Sequence, residues 1–239
     1  MKYKLTNNTI EHKGITLYQI EALKSFCYTS IGDLGGYVES VSNLSQSGDC
    51  WIYGDARVFG DAEVYGDARV FGDARVYGNA RVYGYAKVFD DAGVFGDAGV
   101  FGNAEVFGDA EVYGYARVYG NARVYDDAKV YGEARVYGNV RVYGNAEIYG
   151  YAEVYGDARV FGNAKCTKPP LFVNLQRHVL TLTDNHISIG CELHTINYWE
   201  ENIETIGKNN SYSEQEIKNI SDIISCLLEN KRINEEKFK

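Results

Sequence analysis

The chain has 239 residues, 24 Lys+Arg against 33 Asp+Glu, and a formal net charge of −9. That length allows one or two domains. The apolar content of 45% excludes wholesale disorder, and the negative balance argues against direct nucleic-acid binding, which needs clustered Lys and Arg.

The N-terminus, Met1-Lys-Tyr-Lys-Leu-Thr6, has no apolar run of the kind a secretory signal carries, and no stretch of the chain approaches a membrane span. The cysteines Cys27, Cys50, Cys166, Cys191 and Cys226 are scattered and odd in number, so they read as free thiols in a reducing compartment. A cytoplasmic, non-membrane protein is expected. Residues 1–35 are expected to form a β cap. Their first part alternates apolar and polar around Thr6-Asn7-Asn8 and His12-Lys13-Gly14, with a helical stretch over Ile20 to Phe26.

The 21 Tyr and 26 Gly, against 2 Pro and 1 Met, mark an internal repeat. From Ile52 to Val160 an aliphatic residue returns at every sixth position, giving nineteen anchors. Two residues before each lies a small residue, Ala throughout from Ala56 to Ala164 except Val140. Tyr or Phe follows every anchor, then Gly and usually Asp or Asn. Strand side chains alternate between faces, so Ala and Val point to one side and the residue between them and the aromatic to the other. Gly with Asp or Asn is turn chemistry. Repeated without insertion, the unit predicts a mainly β solenoid with a narrow Ala/Val interior. The same period also suits an array of antiparallel hairpins, which would need a second layer over its Ala/Val face.

Aliphatic, any, any, any, small, any at period six resembles the hexapeptide-repeat left-handed β-helix superfamily. The resemblance implies a left-handed parallel coil with three sides and eighteen residues per turn, against the usual crossover hand. The register continues upstream, where Val38, Leu44 and Cys50 fall in steps of six and are expected to prolong the small-residue column. The lead-in Gly32-Asp-Leu-Gly-Gly-Tyr-Val-Glu39 is similar to that of bacterial and phage-borne members of the superfamily without a settled activity. The β-helix is placed at residues 36–167, roughly seven coils, on the order of 35 Å at about 4.8 Å per coil.

Pro169-Pro170 ends the repeat, and residues 168–239 are read as a β-hairpin and two helices. The hairpin joins His178–Thr183 to His186–Ile189 through Asp184-Asn185. One helix is expected near Thr195 to Ile206. A second should start at Ser213, whose Ser-x-x-Glu216 is a capping box before apolar positions at helical spacing.

The superfamily resemblance implies an acyl-CoA-dependent acyltransferase as one alternative, with a catalytic His on a coil and a loop excursion. Here His12, His178, His186 and His194 all lie in the flanks, and no hexad from 52 to 164 carries an insertion. An enzyme would have to use His194, with Cys191 beside it in sequence. Cys191-x-x-His194 alone falls short of a four-ligand zinc set. No cofactor or metal is expected, and the non-catalytic reading is preferred.

Two surface features stand out. The rings should stack at intervals of eighteen, as in Tyr53, Phe71, Phe89, Phe107, Tyr125, Tyr143 and Phe161, and would present more apolar surface than a monomer usually keeps. In the same register Asp55, Asp73, Asp91, Asp109 and Asp127 line one corner, joined by Asp90 and Asp126 in place of turn glycines. The adjacent row Arg57, Arg75, Gly93, Glu111 and Lys129 partly offsets their charge. The expected function is a β-solenoid scaffold, or a binder or inhibitor of another protein, docking a basic partner through Phe89, Phe107, Tyr125 and the acidic corner. A homo-oligomer, dimer or trimer, is expected, and a small-ligand site at a subunit interface is a further alternative.

Overall fold

The computed structural model describes residues 1–236, with side chains through Lys231, so positions 237–239 of the expected C-terminal segment lie outside the described residues. The chain divides into two compact units, Met1–Pro169 and Pro170–Lys239.

Unit 1 begins with a hairpin of β1 (Tyr3–His12) and β2 (Ile15–Ala22). His12 pairs with Ile15, leaving Lys13 and Gly14 as a two-residue turn, both at positive φ as such a tight turn requires. β2 then pairs antiparallel with β3 (Leu34–Val38). The helical stretch expected over Ile20 to Phe26 is absent. Ile20 to Ala22 belong to β2, and the backbone N–H groups of Ala22 and Leu23 donate to Asp33 and Lys2 carbonyls at 2.9 and 2.8 Å. A register shift after Gln19 puts Ile20 and Ala22 alongside Leu17 in the buried set, so the sheet uses the apolar spacing that resembled a helix. Phe26 to Thr29 make a tight bridge with Cys27 at its tip.

Twenty two-residue strands follow, from β4 (Trp51–Ile52) to β23 (Lys165–Cys166). Each of the first seventeen pairs in parallel with the strand eighteen residues on, as in Lys87↔Glu105 with Val88↔Val106 and Gly93↔Glu111 with Val94↔Val112. Successive strands visit three sheets in turn, which makes a three-sided parallel β-solenoid and rules out the hairpin array. The ladder continues through the corners, where the Asp67 N–H donates to the Gly84 carbonyl at 2.8 Å. The Ala and Val columns are fully buried, and the residue between them points outward.

Regularity breaks at the first coil. Val38 pairs with Val58 and Leu44 with Val64, twenty residues apart, whereas Ile52 pairs with Val70 at eighteen. Val38 and Leu44 therefore stand in the Val column, not in the small-residue column the six-residue count assigned them. Two extra residues between Leu44 and Ile52 cause the slip, and the larger Val column takes a Leu that the Ala column would not. Only Cys50 keeps the small-residue place, donating its N–H to the Gly66 carbonyl.

Coil N–H groups of the outer row, the rings and most corners donate to the following coil, as Arg57 to Ala74 and Asp67 to Gly84, so the carbonyls that accept at these positions point toward the N-terminal end, and those of the first coil have no coil beneath them. The cap supplies their donors. The Tyr3 hydroxyl donates to the Leu44 carbonyl at 2.7 Å, and the Lys2 ammonium donates to the Cys50 and Gly48 carbonyls at 2.8 and 3.3 Å. Gln46 Oε1 accepts the Lys2 backbone N–H at 2.6 Å. Burial pushes the Tyr3 hydroxyl up to about 12. A buried polar group keeps its place only when paired, and this plug pairs the orphan carbonyls at the sheet ends.

Unit 2 is a four-stranded antiparallel meander, β24 (Leu171–Asn174), β25 (Val179–Leu182), β26 (His186–Ile189) and β27 (Glu192–Thr195), followed by α1 (Ile196–Asn209) and α2 (Glu214–Glu236). The expected hairpin is its central pair, and the outer strands extend it. Thr195 caps α1, and the Ser213–Glu216 capping box forms, with Glu216 Oε2 accepting the Ser213 N–H at 2.8 Å. Leu180, Leu182, Ile187 and Ile189 pack on Trp199, Ile206, Ile220, Ile224 and Leu228. The helices cross closely at Gly207, where a Cβ would collide with Ile217.

Candidate functional site

The solenoid carries surface rows two residues apart. On the sheet holding β4, the outward row is Arg69, Lys87, Glu105, Arg123, Arg141 and Arg159. Beside it runs the ring column Phe71, Phe89, Phe107, Tyr125, Tyr143 and Phe161, and beyond that the acidic corner.

Stacking places neighbouring rings of that column 4.7 to 5.0 Å apart with planes 3° to 6° from parallel. Phe59 through Tyr149 and Tyr65 through Tyr155 make two further stacks. Each inner ring spends both faces on its neighbours, so most ladder rings are half-buried, and Phe59 and Phe161 are buried. The columns therefore stack as expected and present ring edges to solvent. Burial, and then the Tyr143 hydroxyl, push up the Tyr125 hydroxyl.

All seven carboxylates of the acidic corner are exposed. Asp90 and Asp126 take the left-handed conformation of the glycines they replace, both at φ 57°. Each carboxylate accepts a backbone N–H one coil on, Gly108 for Asp90 at 3.3 Å and Gly144 for Asp126 at 3.1 Å. Those two acids thus do structural work at the turn. Asp55, Asp73, Asp91, Asp109 and Asp127 have no ion pair among the described residues. The neighbouring bases turn elsewhere, Lys129 to Glu111 at 3.4 Å and Arg57 toward His12 at 3.3 Å. No group of three or more His, Cys, Asp or Glu among the described residues is arranged to hold a metal ion.

A family model described as the YdcK Beta solenoid repeat matches residues 74–88, 116–132 and 134–150. The chain is a β-solenoid repeat protein. The matched stretches all lie in the coils, and they are similar to that repeat in the part of the solenoid that carries the stacked rings. No curated protein matches the chain.

Two surface features of the solenoid were missed by reading the Asp and ring columns alone. One is the basic row, in which Glu105 joins Lys87 and Arg123 at 2.9 and 3.0 Å, after which Arg123, Arg141 and Arg159 occupy consecutive rungs. The eighteen-residue register that reveals the Asp column reveals it equally. The other is Tyr85, Tyr115 and Tyr151, which stand where the turn usually has Asp or Asn and are 65%, 65% and 74% exposed. At such corners Asn side chains otherwise link coil to coil, as Asn103 to Asn121 and Asn121 to Asn139 at 3.1 Å.

In unit 2, His194 and Cys191 do not form a thiol–imidazole pair. His194 is 2.8 Å from Glu192 Oε2 and stacks on Tyr198. Cys191 is exposed at the turn before β27, and no hydrogen bond joins it to His194 among the described residues. Hydrogen bonds from Asn210 and then His194 hold the Glu192 carboxyl below its ordinary range. Burial, and then the His194 charge, lower His186. No helix among the described residues is long and apolar enough to cross a membrane.

Proposed function

We propose that the solenoid is a non-catalytic binding scaffold whose acidic corner docks a protein partner with a basic surface. The observation that carries this reading is the row Asp55, Asp73, Asp91, Asp109 and Asp127, exposed and without ion pairs among the described residues, on a backbone pinned rung to rung. Rigid rows lose little entropy on docking, and unpaired surface charge steers an oppositely charged partner. The edges of Phe89, Phe107 and Tyr125 adjoin the corner and supply apolar contact. The likeness of the lead-in to phage-borne proteins supports a host protein as that partner.

The test replaces Asp73, Asp91 and Asp109 together by Asn. The fold is expected to survive, because Asn145 and Asn163 already occupy the same corner. A partner captured from the native host on the wild-type chain should associate more slowly with the variant, and the salt dependence of association should flatten. An unchanged rate and unchanged salt slope would place the docking surface elsewhere.

A further inference from the structure

Lys2 and Cys50 are 1% and 0% exposed and meet at the plugged end of the solenoid. Besides its two carbonyl acceptors, the Lys2 ammonium donates to Cys50 Sγ at 3.1 Å, and its Nζ lies 5.3 Å from the centre of the Phe26 ring. All three ammonium hydrogens are therefore directed, and the nitrogen is held against the sulfur with little freedom left in its stem. Packing does not ask for sulfur here. Every later member of the column in which Cys50 stands is Ala, apart from Val140, so a small apolar side chain satisfies the coil. The carbonyl plug does not need it either, since Lys2 reaches the Gly48 and Cys50 carbonyls independently of the thiol.

We propose that Lys2 and Cys50 form an oxidative crosslink site, closed by one bridging oxygen as Nζ–O–Sγ when a peroxide is present. In the first step the Cys50 sulfur attacks hydrogen peroxide. An S–O bond forms and the O–O bond breaks; the sulfur, attacking as the thiolate, becomes a sulfenic acid, and the leaving hydroxide takes one proton from the Lys2 ammonium and departs as water, which leaves the amine neutral. In the second step the neutral amine of Lys2 forms an N–O bond to the sulfenic oxygen. A second peroxide takes the two electrons, the hydroxyl hydrogen and one amine hydrogen, and departs as two waters. Altogether one thiolate, one ammonium and two peroxides give the bridge and three waters. Starting from 3.1 Å, an interposed oxygen needs less closing movement than a direct S–N bond. The bridge would tie together residues 48 apart in sequence and lock the cap into the first coil. Thiol reductants would release it.

The experiment uses the full chain with the exposed thiols removed by Cys27→Ser, Cys191→Ser and Cys226→Ser, treated with hydrogen peroxide, digested and mapped by mass spectrometry. Should that variant fail to fold, the same peptide map on the wild-type chain gives the same readout. The expected product is a Lys2 peptide joined to a Cys50 peptide, heavier than their sum by one oxygen less two hydrogens and cleaved by dithiothreitol. The crosslinked protein should show a raised thermal midpoint that reductant returns to the starting value. Lys2→Arg keeps donors for the carbonyls and should abolish the product. Recovery of Cys50 unmodified, as an unlinked sulfenic or sulfinic acid, or in a link lacking the oxygen would overturn the proposal.

Discussion

The stacked rings and the corner tyrosines make opposite demands on stability, and Phe89 tests the difference. Its ring lies between Phe71 and Phe107, each 4.7 Å away and within 4° of parallel. Two stacked pairs at about 0.5–1.5 kcal/mol each, with the loss of a half-buried ring, put Phe89→Ala at about 2–4 kcal/mol of destabilisation. Tyr115 stands 65% exposed at a turn where Asn fits, so Tyr115→Asn should change stability by no more than about 0.5 kcal/mol. Solenoids unfold locally as well as globally, so urea midpoints should be read together with hydrogen exchange at the rung amides. The N–H groups of Lys87 and Phe89, which donate to Ala104 and Val106 carbonyls, report the site. In a double-mutant cycle Phe89 and Phe107 should couple by about 0.5–1.5 kcal/mol. A cost for Phe89→Ala no greater than that for Tyr115→Asn, or no coupling, would show that the stacks add nothing to the fold.

Three further outcomes follow from the same geometry. Ala104→Leu overpacks a column with no free volume and should cost about 1–3 kcal/mol or more, whereas Arg117→Leu on the outer row should be nearly silent in urea titration. Glu105 is unsuitable as the outward control because it pairs with both Lys87 and Arg123. Asp90→Gly should match or exceed wild-type stability by relieving the left-handed conformation, while Asp90→Ala keeps that strain, loses the bond to Gly108 and should fall about 1 kcal/mol below wild type. Burial, then the charges of Arg57, Lys13 and Arg75, hold His12 below its ordinary value of 6.5. The unfolded chain therefore protonates first, so the cap has its full stability above about 6.5 and loses it as pH falls from there toward the folded value. Exchange at β1 and β2 amides should accelerate over that window in the wild type and lose this dependence in His12→Phe.

The eighteen-residue register made the surface legible wherever residues face only their own column. Asp55 to Asp127 and Phe71 to Phe161 align as counted, because each rung repeats the one before it. Exposure was not legible in the same way. Phe89 and Tyr115 are both aromatics in the repeat, but one spends its faces on neighbours in adjacent coils while the other stands 65% exposed at a turn, between Asp97 and Glu133 in its column. Cys191 and His194 are close in sequence, yet Glu192, not the thiol, takes the imidazole, since residues at alternate positions of β27 share a face.

The sequence by itself determined the solenoid, the inward Ala and Val, the outward rings and the α2 cap, because these rest on local periodicity and on contacts between identical positions. Tertiary structure alone decided where periodicity stops. It turned Ile20 to Ala22 into strand, moved Val38 and Leu44 into the Val column through two extra residues, and buried Lys2 against Cys50. Each of these depends on a partner far along the chain, and the burial of Lys2 also on the carbonyls of an end coil. A lysine written at the second position gives no sign that it will be the donor those carbonyls require.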